Sequence, residues 1–468
     1  MSNRTICLIN DSFPPVTDGV ANAVVNYGRA ITESGSRAVV ATPAYPGADD
    51  SGFSFPVVRY PSIDMTKLVG YHAGFPFSEK TMQTLMEHPF DLIHCHCPIT
   101  SAVLARELRA RIHVPAVFTY HTKFDIDIAN AIHAKLLQEG AKKLLVDNIS
   151  AFDEVWTVSH GAGENLRSLG YQGDWRVMPN GVDFARGRVP EEDVRAVCRD
   201  FDLPEGVPVF LFVGRMMWYK GLRIILDALR LLAAGGEDFR MVFIGNGADA
   251  AEVQEYAKPL GNKCIFTGAI SQRETLRAWY CRADLFLFPS SYDTNGLVVR
   301  EAAASDLAAV LIKGSCAAEG VVDGETGFLI EENAGAMASK LQAICRTPEC
   351  MAEVGRQAGE RLYLSWADAV KRAEDRYGIV MENYRMGRYD EHHKPMDGFL
   401  NAQGTMMETL ARLRNLGDGL AERSREGWEE HKGEYEERRE ERREERRSFR
   451  SELKQKGEAL WQKLDRYL

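Results

Sequence analysis

Two positively charged side chains follow a short apolar segment near the middle of the chain. Residues 213–221 read VGRMMWYKG and lie between a predicted strand and a predicted helix. Gly214 allows the backbone to turn sharply, while the Arg215 guanidinium and the Lys220 ammonium suit phosphate oxygens. Two cations there would bind a diphosphate and stabilise the charge that it gains as a leaving group. Taken alone, the segment is better explained as a strand–helix turn with solvated charges.

Two carboxylates follow a second apolar segment. Residues 289–304 read PSSYDTNGLVVREAAA, in which Asp293 precedes a predicted helix and Glu301 lies on it. This spacing allows one carboxylate to reach a sugar and the other to reach a ribose. Free backbone amides at a helix N-terminus favour an anion; here they belong to Asn295, Gly296, Leu297 and Val298. Taken alone, the segment is better explained as an acidic helix start followed by a surface glutamate.

The elements that would position these residues alternate between strands and helices. Apolar runs separated by helical segments fill residues 4–185, and the pattern starts again at residue 209. Such alternation predicts parallel sheets covered by helices, with ligands at the carboxyl ends of the strands. The predicted strands are Thr5–Ile9, Arg37–Thr42, Leu92–His94, Ala116–Tyr120, Glu154–Val158, Trp175–Met178, Val209–Val213, Phe239–Ile244, Cys264–Thr267, Leu285–Phe288, Ala309–Ile312 and Gly327–Ile330.

We therefore predict an α/β fold in which two Rossmann-like, doubly wound domains face a central cleft. The predicted domains cover residues 1–186 and 187–365, followed by a crossover helix at 366–388 and a charge-rich helical tail at 389–468. Apolar side chains between Phe449 and Tyr467 recur at helical spacing. They predict an amphipathic terminal helix that packs on its own protein or a second copy rather than on a membrane.

Composition narrows the classes of protein that the chain can belong to. It has 468 residues and a formal net charge of −10, which disfavours a nucleic-acid partner. It contains no run of eighteen apolar residues that would predict a membrane span. Its nine cysteines are scattered, as expected for reduced thiols. We expect a cytoplasmic protein; whether it also binds the inner face of a membrane stays open.

The motifs together resemble those of the family-4 retaining glycosyltransferases. Besides the two segments above, the chain has IGNG at 244–247, FTGAI at 266–270 and DGETGFLI at 323–330. The first half adds PPVTDGVANAV at 14–24, DLIHCHCP at 91–98, FTYHT at 118–122, TVS at 157–159 and PNGVD at 179–183. The motifs follow the family's own order over roughly residues 4–385. They resemble those of a bacterial branch that includes glycolipid-forming members.

This resemblance implies a role for each matching residue. The backbone at Gly19 would approach the donor phosphate, and His121 would lie beside the reacting sugar. Arg215 and Lys220 would hold the diphosphate, Glu301 would bind the ribose, and the backbone of Ile270 would contact the nucleobase. Asp293 and Asn295 stand where the family more often has a glutamate and an aromatic residue. Both of these positions face the donor sugar, so the identity of that sugar stays open.

The activity implied is transfer of a hexose from a nucleotide-diphosphate sugar, with a UDP-sugar favoured, to an acceptor hydroxyl. The first domain would bind the acceptor, a sugar or a lipid such as diacylglycerol, and the second would bind the donor. No metal or other cofactor would be required. Three alternatives stay open: a nucleotide-sugar 2-epimerase of the same architecture, a non-catalytic nucleotide-sugar-binding scaffold organised by the long tail, and a glycogen- or starch-type synthase. Whether the tail also joins copies of the protein into a homo-oligomer stays open.

Three tempting patterns are better explained without a special site. His94 and His96 alternate with cysteines, but residues that alternate on a strand point to opposite faces, so we expect no zinc site. Asp125-Ile126-Asp127 imitates the metal-binding motif of another glycosyltransferase architecture by chance. Residues 132–146 carry lysines beside leucines, and an ordinary amphipathic helix explains them better than contact with lipid.

Overall fold

The computed structural model describes residues 4–16, 18–64, 72–125, 128 and 135–389. The predicted charge-rich tail therefore lies outside the described residues beyond Tyr389. Most of the Asp125-Ile126-Asp127 pattern and the beginning of the lysine-bearing helix also lie outside them. The described chain starts at the first strand and ends just after a long helix.

In the described residues, the first half of the chain forms a seven-stranded parallel sheet beside a small antiparallel pair. The strand order in the sheet is β3-β2-β1-β6-β7-β8-β9, and β4 pairs with β5. The strands in chain order are β1 Thr5–Ile9, β2 Arg37–Pro43, β3 Val57–Tyr60, β4 Ser62–Asp64, β5 His72–Gly74, β6 Leu92–Cys95, β7 Ala116–Tyr120, β8 Glu154–Thr157 and β9 Trp175–Val177.

The second half forms a six-stranded parallel sheet in the order β12-β11-β10-β13-β14-β15, again counted over the described residues. Its strands are β10 Val209–Val213, β11 Arg240–Ile244, β12 Cys264–Gly268, β13 Leu285–Phe288, β14 Ala309–Ile312 and β15 Phe328–Ile330. Both sheets reverse their strand order beside the first strand of the set, which is the doubly wound arrangement. The predicted fold class is thus confirmed.

Helices cover both sheets. In the first half they are Gly19–Glu33, Glu79–Met86, Thr100–Ile112, Lys135–Ser150 and His160–Ser168. In the second half they are Glu191–Cys198, Leu222–Ala234, Ala250–Ala257, Arg273–Arg282, Leu297–Ala304, Ala334–Cys345, Pro348–Arg361 and Trp366–Arg385. Within the described chain, none of these helices is both long enough and apolar enough to cross a bilayer.

The last helix returns to the first sheet. Trp366 and Tyr377 belong to the same buried cluster as Ile6 and Val24 of the first half. Arg376 on this helix donates a hydrogen bond of 2.9 Å to Glu154 at the start of β8. The domain boundaries that we predict from the sequence stay predictions.

Two local features depend on hydrogen bonds to other residues rather than on the hydrophobic pattern. The first helix begins at Gly19, because the Asp18 carboxylate accepts hydrogen bonds from the amides of Val20 and Ala21 and caps it. The strand β3 was not among the predicted strands, since a four-residue segment with a central arginine has no clear period. Its pairing with β2 through Val40 and Val57 shows that the partner strand decides its conformation.

Candidate active site

The two motif loops of the second half pack against each other at the carboxyl ends of β10 and β13, which are paired neighbours. Gly221 ends the first loop with a φ of 80°, in the left-handed region. A Cβ atom on Gly221 would lie 2.0 Å from the carbonyl oxygen of Pro289 in the second loop. Glycine at this position therefore allows both the turn and the close approach of the two loops.

This packing brings the predicted clamp lysine onto the first predicted carboxylate. Lys220 is only 9% exposed, and its Nζ lies 2.6 Å from Oδ1 of Asp293. The other oxygen of Asp293 accepts a hydrogen bond of 2.6 Å from the Ser290 hydroxyl. The ammonium has three donors, so the contact with Asp293 leaves donor capacity for phosphate oxygens.

The other residues of these two loops that we predict to bind the sugar donor differ in how deeply they are buried. Arg215 is exposed, and its guanidinium makes no hydrogen bond or ion pair within the described residues. Gly296 precedes the helix Leu297–Ala304 with a φ of 57°. Asn295 is 8% exposed, and neither its side-chain oxygen nor its nitrogen has a partner in the described part of the chain. An unpaired buried amide is costly, which marks this position as one that a polar ligand would satisfy.

Glu301 lies one turn into the helix that follows, and it is held from two sides. Its Oε2 accepts a hydrogen bond of 3.0 Å from the Tyr280 hydroxyl, and its Oε1 lies 3.3 Å from Nη1 of Arg273. Burial raises the pKa of the Glu301 carboxyl, while the positive charge of Arg273 opposes that shift. Arg273 also contacts Asp183 of the PNGVD segment at 3.2 Å. Sequence reasoning missed Arg273 and Tyr280, since no spacing relates them to Glu301.

His121 lies at the carboxyl end of β7 in the first half and touches the second half directly. The hydroxyl of Thr294 donates a hydrogen bond of 2.7 Å to the His121 carbonyl oxygen. Thr294 adjoins Asp293, so the histidine and the Lys220–Asp293 pair lie on opposite sides of one interface. Burial lowers the pKa of His121 to about 3, which makes the ring neutral at physiological pH.

Two more predicted positions lie at the same edges of the sheets. Gly19 starts the helix that follows β1; it is exposed, and a Cβ atom there would meet nothing within 4 Å. Ile270 follows β12 and is partly buried against the second core. Their chain positions place both near the carboxyl ends of strands, where the other predicted residues lie.

A further contact between the two halves was not predicted. Glu319 follows β14, and its carboxylate accepts hydrogen bonds from the backbone amides of His160 and Gly161 at 2.7 and 2.6 Å. These amides begin the helix after β8, so a carboxylate of the second half caps a helix of the first. Glu319 lies in the segment GSCAAEG at 314–320, and its contact with the helix His160–Ser168 depends on the packing of the two halves.

Metal ligands are not grouped in the described residues. No set of three His, Cys, Asp or Glu side chains in that part of the chain could hold a metal ion. His94 is instead hydrogen-bonded to Tyr377 and Thr119, at 2.6 and 2.7 Å.

Two Rossmann-like halves whose strand ends face each other across contacts of this kind define the GT-B class of proteins. Comparison with solved structures supports this class. Sucrose-phosphate synthase from Thermosynechococcus elongatus has a TM-score of 0.64 and 22% identity, covering 81% of this chain and 99% of that one. Anabaena HepE, solved in complex with UDP-glucose, has a TM-score of 0.64 and 18% identity over 80% of this chain and 99% of its own.

Two family models match nearly the whole described chain. The model for Glycosyltransferase Family 4 matches residues 17–186, and the model for Glycosyl transferases group 1 matches residues 195–361. The chain belongs to the family-4 glycosyltransferases of GT-B architecture, and it is an enzyme.

Curated relatives agree with this family. One is alpha-monoglucosyldiacylglycerol synthase from Streptococcus pneumoniae, 22% identical over 64% of this chain and 69% of the relative. Another is a GDP-mannose-dependent alpha-mannosyltransferase from Corynebacterium glutamicum, 24% identical over 70% of this chain and 76% of the relative.

Proposed function

We propose that this enzyme transfers a hexose from a nucleoside diphosphate sugar, with a UDP-sugar favoured, to an acceptor hydroxyl with retention of anomeric configuration. One observation carries the proposal. The contacts Lys220–Asp293 and Thr294–His121 join the cation, the carboxylate and the histidine of both halves at one interface. A donor bound there would have its diphosphate beside the cations and its sugar beside Asp293 and His121.

The donor is held mainly by the second half in this proposal. Arg215 and Lys220 bind the diphosphate, and the amides of Leu297 and Val298 add the positive end of a helix. Glu301, oriented by Tyr280 and Arg273, accepts hydrogen bonds from the ribose hydroxyls. The remaining contacts to the donor come from the backbone of Gly19, the backbone of Ile270, and the side chains of Asn295 and Asp293 beside Gly296.

Catalysis in this scheme depends on the departing diphosphate. The bond between the anomeric carbon and the phosphate oxygen breaks, the bond to the acceptor oxygen forms on the same face, and the acceptor proton leaves with the diphosphate. Lys220 and Arg215 stabilise the negative charge as it grows. His121 contributes as a neutral hydrogen-bonding ring, because its low pKa excludes an imidazolium at physiological pH. Contacts across the interface keep water out while the sugar is reactive.

The acceptor that we propose is a lipid hydroxyl such as that of diacylglycerol, bound mainly by the first half. Two curated relatives, from Streptococcus pneumoniae and Acholeplasma laidlawii, carry the name alpha-monoglucosyldiacylglycerol synthase. A lipid acceptor would require the enzyme to work at the surface of a membrane. A nucleotide-sugar 2-epimerase remains the alternative, and it differs in needing no acceptor.

A donor screen tests the proposal. The thermal unfolding temperature of the whole protein is measured with UDP-, GDP- and ADP-sugars, and the products formed with and without diacylglycerol vesicles are identified. We expect stabilisation by a UDP-sugar and a new glycolipid. Stabilisation without any acceptor product, together with an altered free sugar, would favour the epimerase. No stabilisation by any of the donors would contradict the proposed donor class.

The lysine substitution tests the site itself. Lys220→Ala should lower turnover by about 100- to 1,000-fold, because charge on the leaving group loses its partner. Lys258→Ala is the matched control, since Lys258 also pairs with a carboxylate, that of Glu255, but on the surface. Equal turnover in the two variants would remove Lys220 from the mechanism.

A further inference from the structure

A second buried histidine lies against His121. The Nδ1 of His96 is 2.9 Å from the Nε2 of His121, and the two ring centroids are 5.2 Å apart with an interplanar angle of 30°. His96 follows β6 and His121 follows β7, which are neighbouring strands of the first sheet. Both rings are almost fully buried, at 2% and 7% exposed.

We propose that His96 is a positioning residue, which donates its Nδ1–H to Nε2 of His121 and thereby places the single proton of His121 on Nδ1. This proposal rests on the proposed function for the use of that proton, but the tautomer itself does not depend on it. The Nδ1–H of His121 then becomes a hydrogen-bond donor for an oxygen of the donor sugar.

The two histidine rings of this pair are both uncharged. Burial lowers the pKa of His96 and of His121, and the neighbouring rings of His94 and His121 lower the pKa of His96 further. Both rings are therefore neutral, and each carries one proton on one of its two nitrogens. A hydrogen bond between neutral rings needs an N–H on one side and a lone pair on the other. The tautomers of His96 and His121 are thus coupled.

The surroundings of His96 favour one of the two coupled arrangements. If His121 donated to His96, the proton of His96 would have to lie on its Nε2. That Nε2 is buried and has no hydrogen-bond partner within the described chain. Buried N–H groups without an acceptor are rarer in proteins than acceptors without a donor. The arrangement in which His96 donates leaves only a bare lone pair at Nε2, and it is the favoured one.

The other ring nitrogen of His121, Nδ1, is the one that can reach a ligand. Nε2 of His121 is used by His96, and its backbone carbonyl oxygen accepts from Thr294 at 2.7 Å. Nδ1 of His121 has no protein partner in the described residues, so it is the nitrogen available to a ligand. A neutral ring with its proton on Nδ1 can donate there without the cost of burying a charge.

The neighbouring His94 provides a matched control. Its ring centroid is 4.0 Å from that of His96, and it is equally buried. Its two nitrogens, however, are hydrogen-bonded to Tyr377 and Thr119 rather than to His121. Substitution of His94 therefore disturbs the same packing without breaking the bond to His121.

Nuclear magnetic resonance on the whole protein with ¹⁵N-labelled histidine reads the tautomer directly. We expect His121 as the Nδ1–H form in the wild-type protein and a mixture of both forms in His96→Leu. An Nε2–H form of His121 in the wild type would overturn the proposal. This readout needs no turnover, so it stays informative even if no nucleotide sugar binds and the proposed function fails.

Kinetics separate positioning from packing. His96→Asn keeps a donor near the position of Nδ1 and should retain kcat within about 3-fold, whereas His96→Leu should lower kcat by about 10- to 100-fold. The affinity for free UDP should stay within about 2-fold in both, because the nucleotide does not touch His121 in the proposed complex. An equal loss of kcat in His96→Asn, His96→Leu and His94→Leu would show that packing alone matters and would overturn the proposal.

Discussion

The carboxylate of Glu319 accepts a hydrogen bond of 2.6 Å from the backbone N–H of Gly161. The same carboxylate accepts a second bond from the adjoining amide of His160, so a negative charge sits at a helix N-terminus. Because Glu319 follows β14 and Gly161 follows β8, this contact joins the carboxyl edges of both sheets. It stabilises the arrangement in which the predicted donor residues face His121.

The first prediction is that Glu319→Gln weakens this arrangement. The loss of charge at the helix N-terminus costs about 1 kcal/mol, which changes the ratio of associated to separated halves by about 5-fold. We expect kcat to fall by up to that factor while the affinity for free nucleotide stays unchanged. Steady-state kinetics and small-angle scattering measure the two effects. Glu325→Gln is the control, since Glu325 pairs with Arg361 within the second half; identical kinetics in both variants would contradict the role of Glu319.

The second prediction concerns the partner of Glu301. Arg273→Gln removes the cation that opposes the raised pKa of the Glu301 carboxyl, so that pKa rises further. Only the ionised carboxylate has both oxygens free to accept from ribose hydroxyls, and it is lost as the pH falls through the raised pKa. We expect nucleotide affinity to be about 10-fold weaker where the carboxyl is protonated and to recover as the pH rises.

Titration calorimetry over a pH series measures this change. Arg195→Gln serves as the control, since Arg195 pairs with Glu191 on an exposed helix. A uniform loss of affinity at all pH values would show that Arg273 binds the nucleotide itself rather than acting through Glu301.

The third prediction compares two glycines that share a left-handed conformation. Gly221 has a φ of 80° and a Cβ there would lie 2.0 Å from the Pro289 carbonyl oxygen, whereas Gly236 has a φ of 87° and open space around it. Gly236→Ala should lower the free energy of unfolding by about 1 kcal/mol through backbone strain alone. Gly221→Ala should cost at least about 2 kcal/mol more, because two backbone segments must separate. Urea denaturation measures both, and equal losses would contradict the close loop packing.

The fourth prediction is acid lability of the fold. Burial lowers the pKa of His94, His96 and His121, so the folded protein leaves them neutral over a pH range in which the unfolded chain protonates them. The unfolded state then binds more protons, and stability falls as the pH drops below about 6.5. Three histidines would give a limiting slope of about 4 kcal/mol per pH unit.

Urea denaturation at intervals from pH 7.5 to 5 tests this prediction. His94→Leu removes one of the three groups, so its stability should depend less steeply on pH than that of the wild type. His113→Leu is the control, because His113 follows the helix Thr100–Ile112 and is not part of the buried cluster. A flat pH profile of the wild type would show that these histidines are accessible to protons in the folded state.

Much of the fold follows from local pattern. The predicted strand Leu285–Phe288 has the same bounds in the structure, because a continuous apolar run suits a strand buried on both faces. The loops after β10 and β13 were identified as sites because cations and carboxylates directly follow such strands. A short run of apolar residues by itself predicts a buried strand. The strands of the two sheets, and the loops at their carboxyl ends, could therefore be predicted from the sequence.

The side-chain contacts of the site residues could not be predicted from the sequence in this way. The sequence by itself determined that Lys220, Asp293 and His121 follow strands and that Glu301 lies on the helix after the second of these loops. Only the tertiary structure decided that Asp293 neutralises Lys220 and that His96 holds His121. Such pairs join residues far apart in the chain, and their contacts depend on loop packing and on the approach of the two halves, which no local period records.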